Sequence, residues 1–289
     1  MALKYGNKCY DRFGDGPLLW TGKWTEMELD DQEKTRTALL FISHGLGEHF
    51  DYYDELGYFL VNSGFRVFTH DHIGHGTSSG THSHVGNFKE YTKLIFDHCD
   101  EMKKNYPDLP IFLFGHSIGG AAALLAALEK PEYFKGVIIS SPFVIPPKVF
   151  SSRVEMFYFK NIGARMFPQQ ELSQIDPNEV SRDPKKVDKI KNDPLFHTAF
   201  KAGLWKAWLD CATKLQQNFN SIKLSLLVLH GEADKIGDIK FSQTLYDEAQ
   251  SQDKELKIYP GCLHNPILEL EEDRKQVLED IKQWLEKRI

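Results

Sequence analysis

This 289-residue chain lacks several features that would each have settled its class. It has only four cysteines, Cys9, Cys99, Cys211 and Cys262, set far apart with no paired or metal-type spacing. Neither a disulfide scaffold nor a zinc module fits, and reduced thiols are expected. No stretch approaches the roughly 18 apolar residues needed to cross a bilayer. The opening residues, MALKYGNKCYDRFGDG, contain no apolar signal core. Positive charge is in deficit: 35 Lys and Arg against 41 Asp and Glu leave a formal charge of −6, which argues against a nucleic-acid surface. The expectation is a cytoplasmic protein that is not secreted and can still touch membranes peripherally.

What is present is ordinary for a globular protein. Hydrophobic residues make up 41% and charged residues 26%, and the length suits one large domain or a core with an insertion. Buried-type apolar runs at 38–43, 65–69, 111–114 and 136–140 alternate with helical patterns at 52–63, 88–105 and 118–130. That rhythm calls for a parallel sheet with right-handed crossovers. Residues 18–29 read as an antiparallel hairpin before it.

From Pro142 to about Ser221 the rhythm lapses, and this stretch is expected to be a helical insertion placed after the sixth strand, over the carboxyl edge of the sheet. It holds two amphipathic candidates. Phe200 to Phe219 carries one apolar stripe that suits packing on the core. Lys148 to Arg165 is basic and aromatic-rich, with Phe150, Phe157 and Phe159 among four cations and one acid. Such a helix can rest on a lipid surface or cover a substrate tunnel. Strands at 224–229 and 256–259, a helix at 239–249 and a closing helix at 269–286 resume the alternation. The expected division is a core of 1–141 and 222–289 with a cap of 142–221.

The chemistry centres on Ile111 to Leu128, IFLFGHSIGGAAALLAAL, where an apolar strand runs through Gly115-His116-Ser117-Ile118-Gly119 into an Ala-rich helix. A serine at the tip of so sharp a corner needs neighbours two residues away without bulk, and Gly115 and Gly119 supply that. Serine alone is a poor nucleophile; it needs a histidine base and a carboxylate that fixes the histidine's tautomer. His264 follows the last strand and Asp234 follows the strand before it, with Asp238 as the competing acid. The backbone amides of Ile118 and of Leu46, in the loop after strand 38–43, are the candidate oxyanion donors.

Five histidines within residues 70–84 invite a metal reading. No cysteine or ordered carboxylate set completes a ligand sphere there, so no metal and no cofactor is expected. Cys262, two residues before His264, reads as a space-filling side chain.

The motifs HGLGEH, DHIGHGTSSG, GHSIGG and HGEAD, with the tail SQDKELKIYPGCLH, closely resemble the monoglyceride lipases of the α/β-hydrolase superfamily, from about residue 38 onward. The resemblance implies an α/β-hydrolase fold with a helical cap over an acyl tunnel. It also implies serine-dependent cleavage of monoacylglycerols to fatty acid and glycerol, and peripheral membrane association. Ser117, Asp234 and His264 match that family's triad, and Leu46 and Ile118 its oxyanion hole. The candidate substrate contacts are Glu48, Tyr52, Ile190 and Ile267 near the head group, with Phe150, Phe157 and Phe159 in the cap. Three of these depart from the family pattern: Tyr52 stands for an arginine, Ile267 for a histidine and Ile190 for a tyrosine. Those changes keep a lysophospholipase or broad carboxylesterase open as the alternative, with a non-catalytic binding protein on the same fold as a more distant one.

Overall fold

The structure is a computed structural model that describes residues 8–12, 17–23, 37–142, 157 and 159–289. Eight strands form one sheet. They are β1 (Lys8–Arg12), β2 (Leu18–Lys23), β3 (Ala38–Ser43), β4 (Phe65–His70), β5 (Ile111–His116), β6 (Gly136–Ser140), β9 (Ser225–Gly231) and β10 (Lys254–Tyr259). Their spatial order is β1-β2-β4-β3-β5-β6-β9-β10. β1 pairs antiparallel with β2, and β2 antiparallel with β4. From β4 to β10 every pairing is parallel, giving the α/β-hydrolase architecture.

The central strands are buried on both faces, which is why they read as unbroken apolar runs. On β3, Leu39 and Phe41 point into one layer while Ala38, Leu40 and Ile42 point into the other. The first layer holds α2 (Lys89–Asn105), α3 (Ile118–Glu129), α5 (Ala202–Gln216) and α6 (Ile239–Glu248), with Ile95, Leu124, Trp205, Trp208 and Leu245 interlocked. The second holds α1 (Asp54–Asn62) and α7 (Glu271–Glu286), with Leu56, Leu60, Val277, Ile281 and Trp284. Each such side chain contributes about 1.5–3 kcal/mol on burial, so the layers hold the strand ends fixed beneath the loops that follow them.

Leu18–Lys23, the described part of the hairpin expected at 18–29, pairs with Lys8–Arg12 on one edge, in the register Lys8 to Gly22 and Arg12 to Leu18, and with β4 on the other. KCYDR is too short and too charged for its period to stand out, and residues 24–36 lie outside the described set. One expectation needs correction: the stretch between β6 and β9 is not purely helical. Besides α4 (Pro184–Asn192) and α5, it contains an antiparallel pair of β7 (Glu171–Gln174) and β8 (Ala199–Lys201). ELSQ and AFK are short and mixed in polarity, so neither forms an apolar run.

The 148–165 candidate falls partly outside the description, at 148–156 and 158, and Phe150 with it. Its end, Phe159–Gly163, is a π turn that leads into one helical turn at Ala164–Met166. No helix among the described residues is long and apolar enough to cross a membrane.

Candidate active site

Ser117 occupies the corner between β5 and α3 with φ 53° and ψ −120°, a region that residues with a Cβ rarely enter. The flanking glycines are required by close approach. A Cβ on Gly119 would stand 2.3 Å from the carbonyl oxygens of Ser43 and His44, and one on Gly115 would stand 2.4 Å from the Gly119 oxygen. The Ser117 amide donates to the Ser140 carbonyl at 3.0 Å, tying the corner to the end of β6.

Two residues from later loops meet this serine. His264 Nε2 lies 3.0 Å from Ser117 Oγ, and His264 Nδ1 lies 2.8 Å from Asp234 Oδ2. Asp234 has no exposed side-chain surface. Burial pushes its carboxyl pKa up, but His264 and His230 outweigh it and hold the carboxyl well below the usual carboxylate range. The backbone amides of Ile236 and Gly237 donate to its other oxygen at 2.8 and 2.9 Å. His230 Nε2 lies 3.1 Å from the same Oδ2 and adds to the stabilisation of the carboxylate. Asp238 is committed elsewhere: it caps α6, accepting from the Lys240 amide at 2.9 Å.

The loop after β3 is held from several sides. Glu48, buried, accepts from the Gly45 amide at 2.8 Å, from the Tyr53 hydroxyl and from Asn265 Nδ2 at 3.0 Å. Burial raises its carboxyl pKa against these donors. Glu48 thus braces the Leu46 loop to the His264 loop. The His72 amide donates to His44 Nε2 at 2.8 Å, which leaves the His44 proton on Nδ1, donated to the Gly45 carbonyl. No turn or loop hydrogen bond among the described residues takes the amides of Leu46 or Ile118, and both residues are buried beside the serine corner.

The remaining candidates divide. Tyr52, Ile190 and Ile267 share one buried cluster with Val180 and Cys262. The Tyr52 hydroxyl donates to Asp193 Oδ2 at 2.8 Å, the same oxygen that His49 Nε2 reaches at 2.8 Å. Phe159 is half-buried against the layer containing Leu46 and Ile118, whereas Phe157 is 63% exposed.

The histidine-rich loop is sorted by burial. His70, His72 and His75 lie inside with His44 and His98, in edge and stacked contacts. Desolvation holds His44, His70 and His72 well below the ordinary imidazole value and brings His75 to about 4. These rings are neutral packing groups at neutral pH.

Sequence reasoning missed His230, Asn265, Asp193, Arg182 and Glu269. Asn265 adjoins His264, and HGEAD displays His230, so those two carried a local signal. The others owe their places to pairings across the fold.

A family model described as "Serine aminopeptidase, S33" matches residues 34–271. The Monoglyceride lipase of Mus musculus is 37% identical over 276 residues, covering 95% of this chain and 89% of that protein. That of Homo sapiens is 36% identical over 255 residues, covering 88% and 84%. The crystal structure of Paleococcus ferrophilus monoacylglycerol lipase superposes with a TM-score of 0.80 at 28% identity, covering 94% of this chain and 99% of that one.

Proposed function

The chain belongs to the monoglyceride lipase family of α/β-hydrolases, and from that premise we propose that it cleaves monoacylglycerols to fatty acid and glycerol through an acyl-enzyme on Ser117. The observation that carries the reading is the relay Asp234–His264–Ser117, with separations of 2.8 and 3.0 Å, built on the backbone corner that aims the Ser117 hydroxyl at His264.

His264 Nε2 takes the Ser117 proton as Oγ bonds to the ester carbonyl carbon. The carbonyl oxygen becomes an oxyanion, and the Leu46 and Ile118 amides donate to it. When the intermediate collapses, the bond to the glycerol oxygen breaks and that oxygen takes the proton from His264. Water then gives a proton to His264 and attacks the acyl carbon; Ser117 recovers the proton as the fatty acid leaves. Asp234 stays ionised throughout, holding Nδ1–H and stabilising the imidazolium. No step calls for a cofactor or a metal.

The segment 142–221 acts as a cap in this reading. Its exposed apolar residues Phe157, Ile162, Met166 and Phe167 support contact with a lipid surface, and the protein is cytoplasmic and peripheral to membranes. A broader carboxylesterase is the second reading. Ile190 and Ile267 offer no polar atom, and the Tyr52 hydroxyl is taken by Asp193. Rates on chain-matched mono-, di- and triacylglycerols, lysophosphatidylcholine and a short-chain ester separate the two. Monoacylglycerol is expected to lead in kcat/KM by about ten-fold or more, the scale of one lost polar contact. A flat profile overturns the preference and leaves the esterase.

A further inference from the structure

Glu269 lies five residues past His264 with no exposed side-chain surface. One of its oxygens accepts from the amide of Leu263, the residue before His264, at 2.6 Å. The other accepts from Arg182 Nε at 2.9 Å. Arg182 comes from the insertion, between Val180 and α4, and its Nη2 reaches Asp273 Oδ2 and, at 3.4 Å, Cys262 Sγ. Cys262, Glu269 and Asp273 are the one group among the described residues spaced to hold a metal. The guanidinium already fills that space, so the cluster reads as an arginine socket.

The backbone around Arg182 runs along the same loop. The His264 amide donates to the Glu179 carbonyl at 3.4 Å, the Asn265 amide to the Val180 carbonyl at 2.9 Å, and Ser181 Oγ to the Leu268 carbonyl at 2.7 Å. Residues 179–182 are thus a strap from the insertion, laid beside the loop that carries the base and pinned at one end by the Arg182–Glu269 pair. The relay to Ser117 spans 3.0 Å at His264 Nε2, and a displacement of about 1 Å there can cost on the order of 10²-fold in rate.

We propose that Arg182 and Glu269 are positioning residues: through Leu263 they set the height and tilt of His264, so the insertion orients the base as well as covering the site. This rests on the reading of His264 as the base. Lysine at 182 keeps the charge but cannot serve Glu269 and Asp273 with a rigid fork.

The test is steady-state turnover of p-nitrophenyl butyrate, a soluble ester too short to need the cap, by the parent, Arg182→Lys, Arg182→Gln and Glu269→Gln. Folded fraction is measured by thermal melting. The expected result is kcat lowered about 10- to 100-fold in Arg182→Gln and Glu269→Gln, less in Arg182→Lys, with KM within about twofold. The double variant Arg182→Gln/Glu269→Gln, measured alongside, should be no worse than the poorer of its two singles, because the two residues act as a unit. Folded variants with parental kcat, a rise in KM alone, or a kcat loss that only tracks the lost folded fraction would overturn the proposal. If Arg182→Gln does not fold, Arg182→Lys and Glu269→Gln decide. An inactive parent would instead contradict the catalytic reading itself.

Discussion

Ser117 holds a conformation that costs about 1–3 kcal/mol, and its neighbours leave it no alternative. With Gly119 pressed on the carbonyls of Ser43 and His44, the chain turns within one residue, and the hydroxyl faces His264. That geometry was legible in G-x-S-x-G because steric demand acts on adjacent residues. The choice of acid was less so, since Asp234 and Asp238 both follow β9. Their hydrogen bonds separate them: Asp234 holds His264 Nδ1, and Asp238 caps α6. Asp234→Asn is therefore expected to lower kcat on the order of 10⁴-fold, because the amide no longer enforces the tautomer. Asp238→Ala should leave kcat within about twofold and cost roughly 1 kcal/mol of stability. Esterase kinetics with thermal melts checks both; the opposite pattern would reassign the acid.

At the scale of elements, the central parallel strands declared themselves because burial on both faces demands unbroken apolar runs. β1, β7 and β8 did not: each is five residues or fewer, and their order comes from a partner strand rather than from their own pattern. The basic, aromatic stretch at 148–165 was legible as unusual, and the neighbouring turn carries its apolar side outward. Met166 and Phe167 are 66% and 58% exposed, an arrangement suited to the boundary between head groups and acyl chains. Met166→Ser/Phe167→Ser is expected to weaken cosedimentation with phosphatidylcholine–phosphatidylserine vesicles about ten-fold or more, as two large apolar side chains cease to be buried. Unchanged sedimentation would sink the membrane contact.

For the whole molecule, the decisive connections join residues far apart in the chain. Glu48 meets Asn265 across 217 positions, His49 meets Asp193 across 144, and Arg182 meets Glu269 across 87. A single sequence carries no signal for such pairings, because each partner alone is an unremarkable polar residue. Their effect is to bind the loop after β3, the insertion and the loop carrying His264 into one frame around the serine. In the proposed reaction this frame serves one covalent nucleophile, Ser117. The most direct test of that role is release of fatty acid from a long-chain monoacylglycerol by the parent and by Ser117→Ala, with folding checked by melting temperature. Turnover is expected for the parent, and its loss, by a factor on the order of 10⁶, in a variant that still folds. Retained turnover in folded Ser117→Ala would contradict that role.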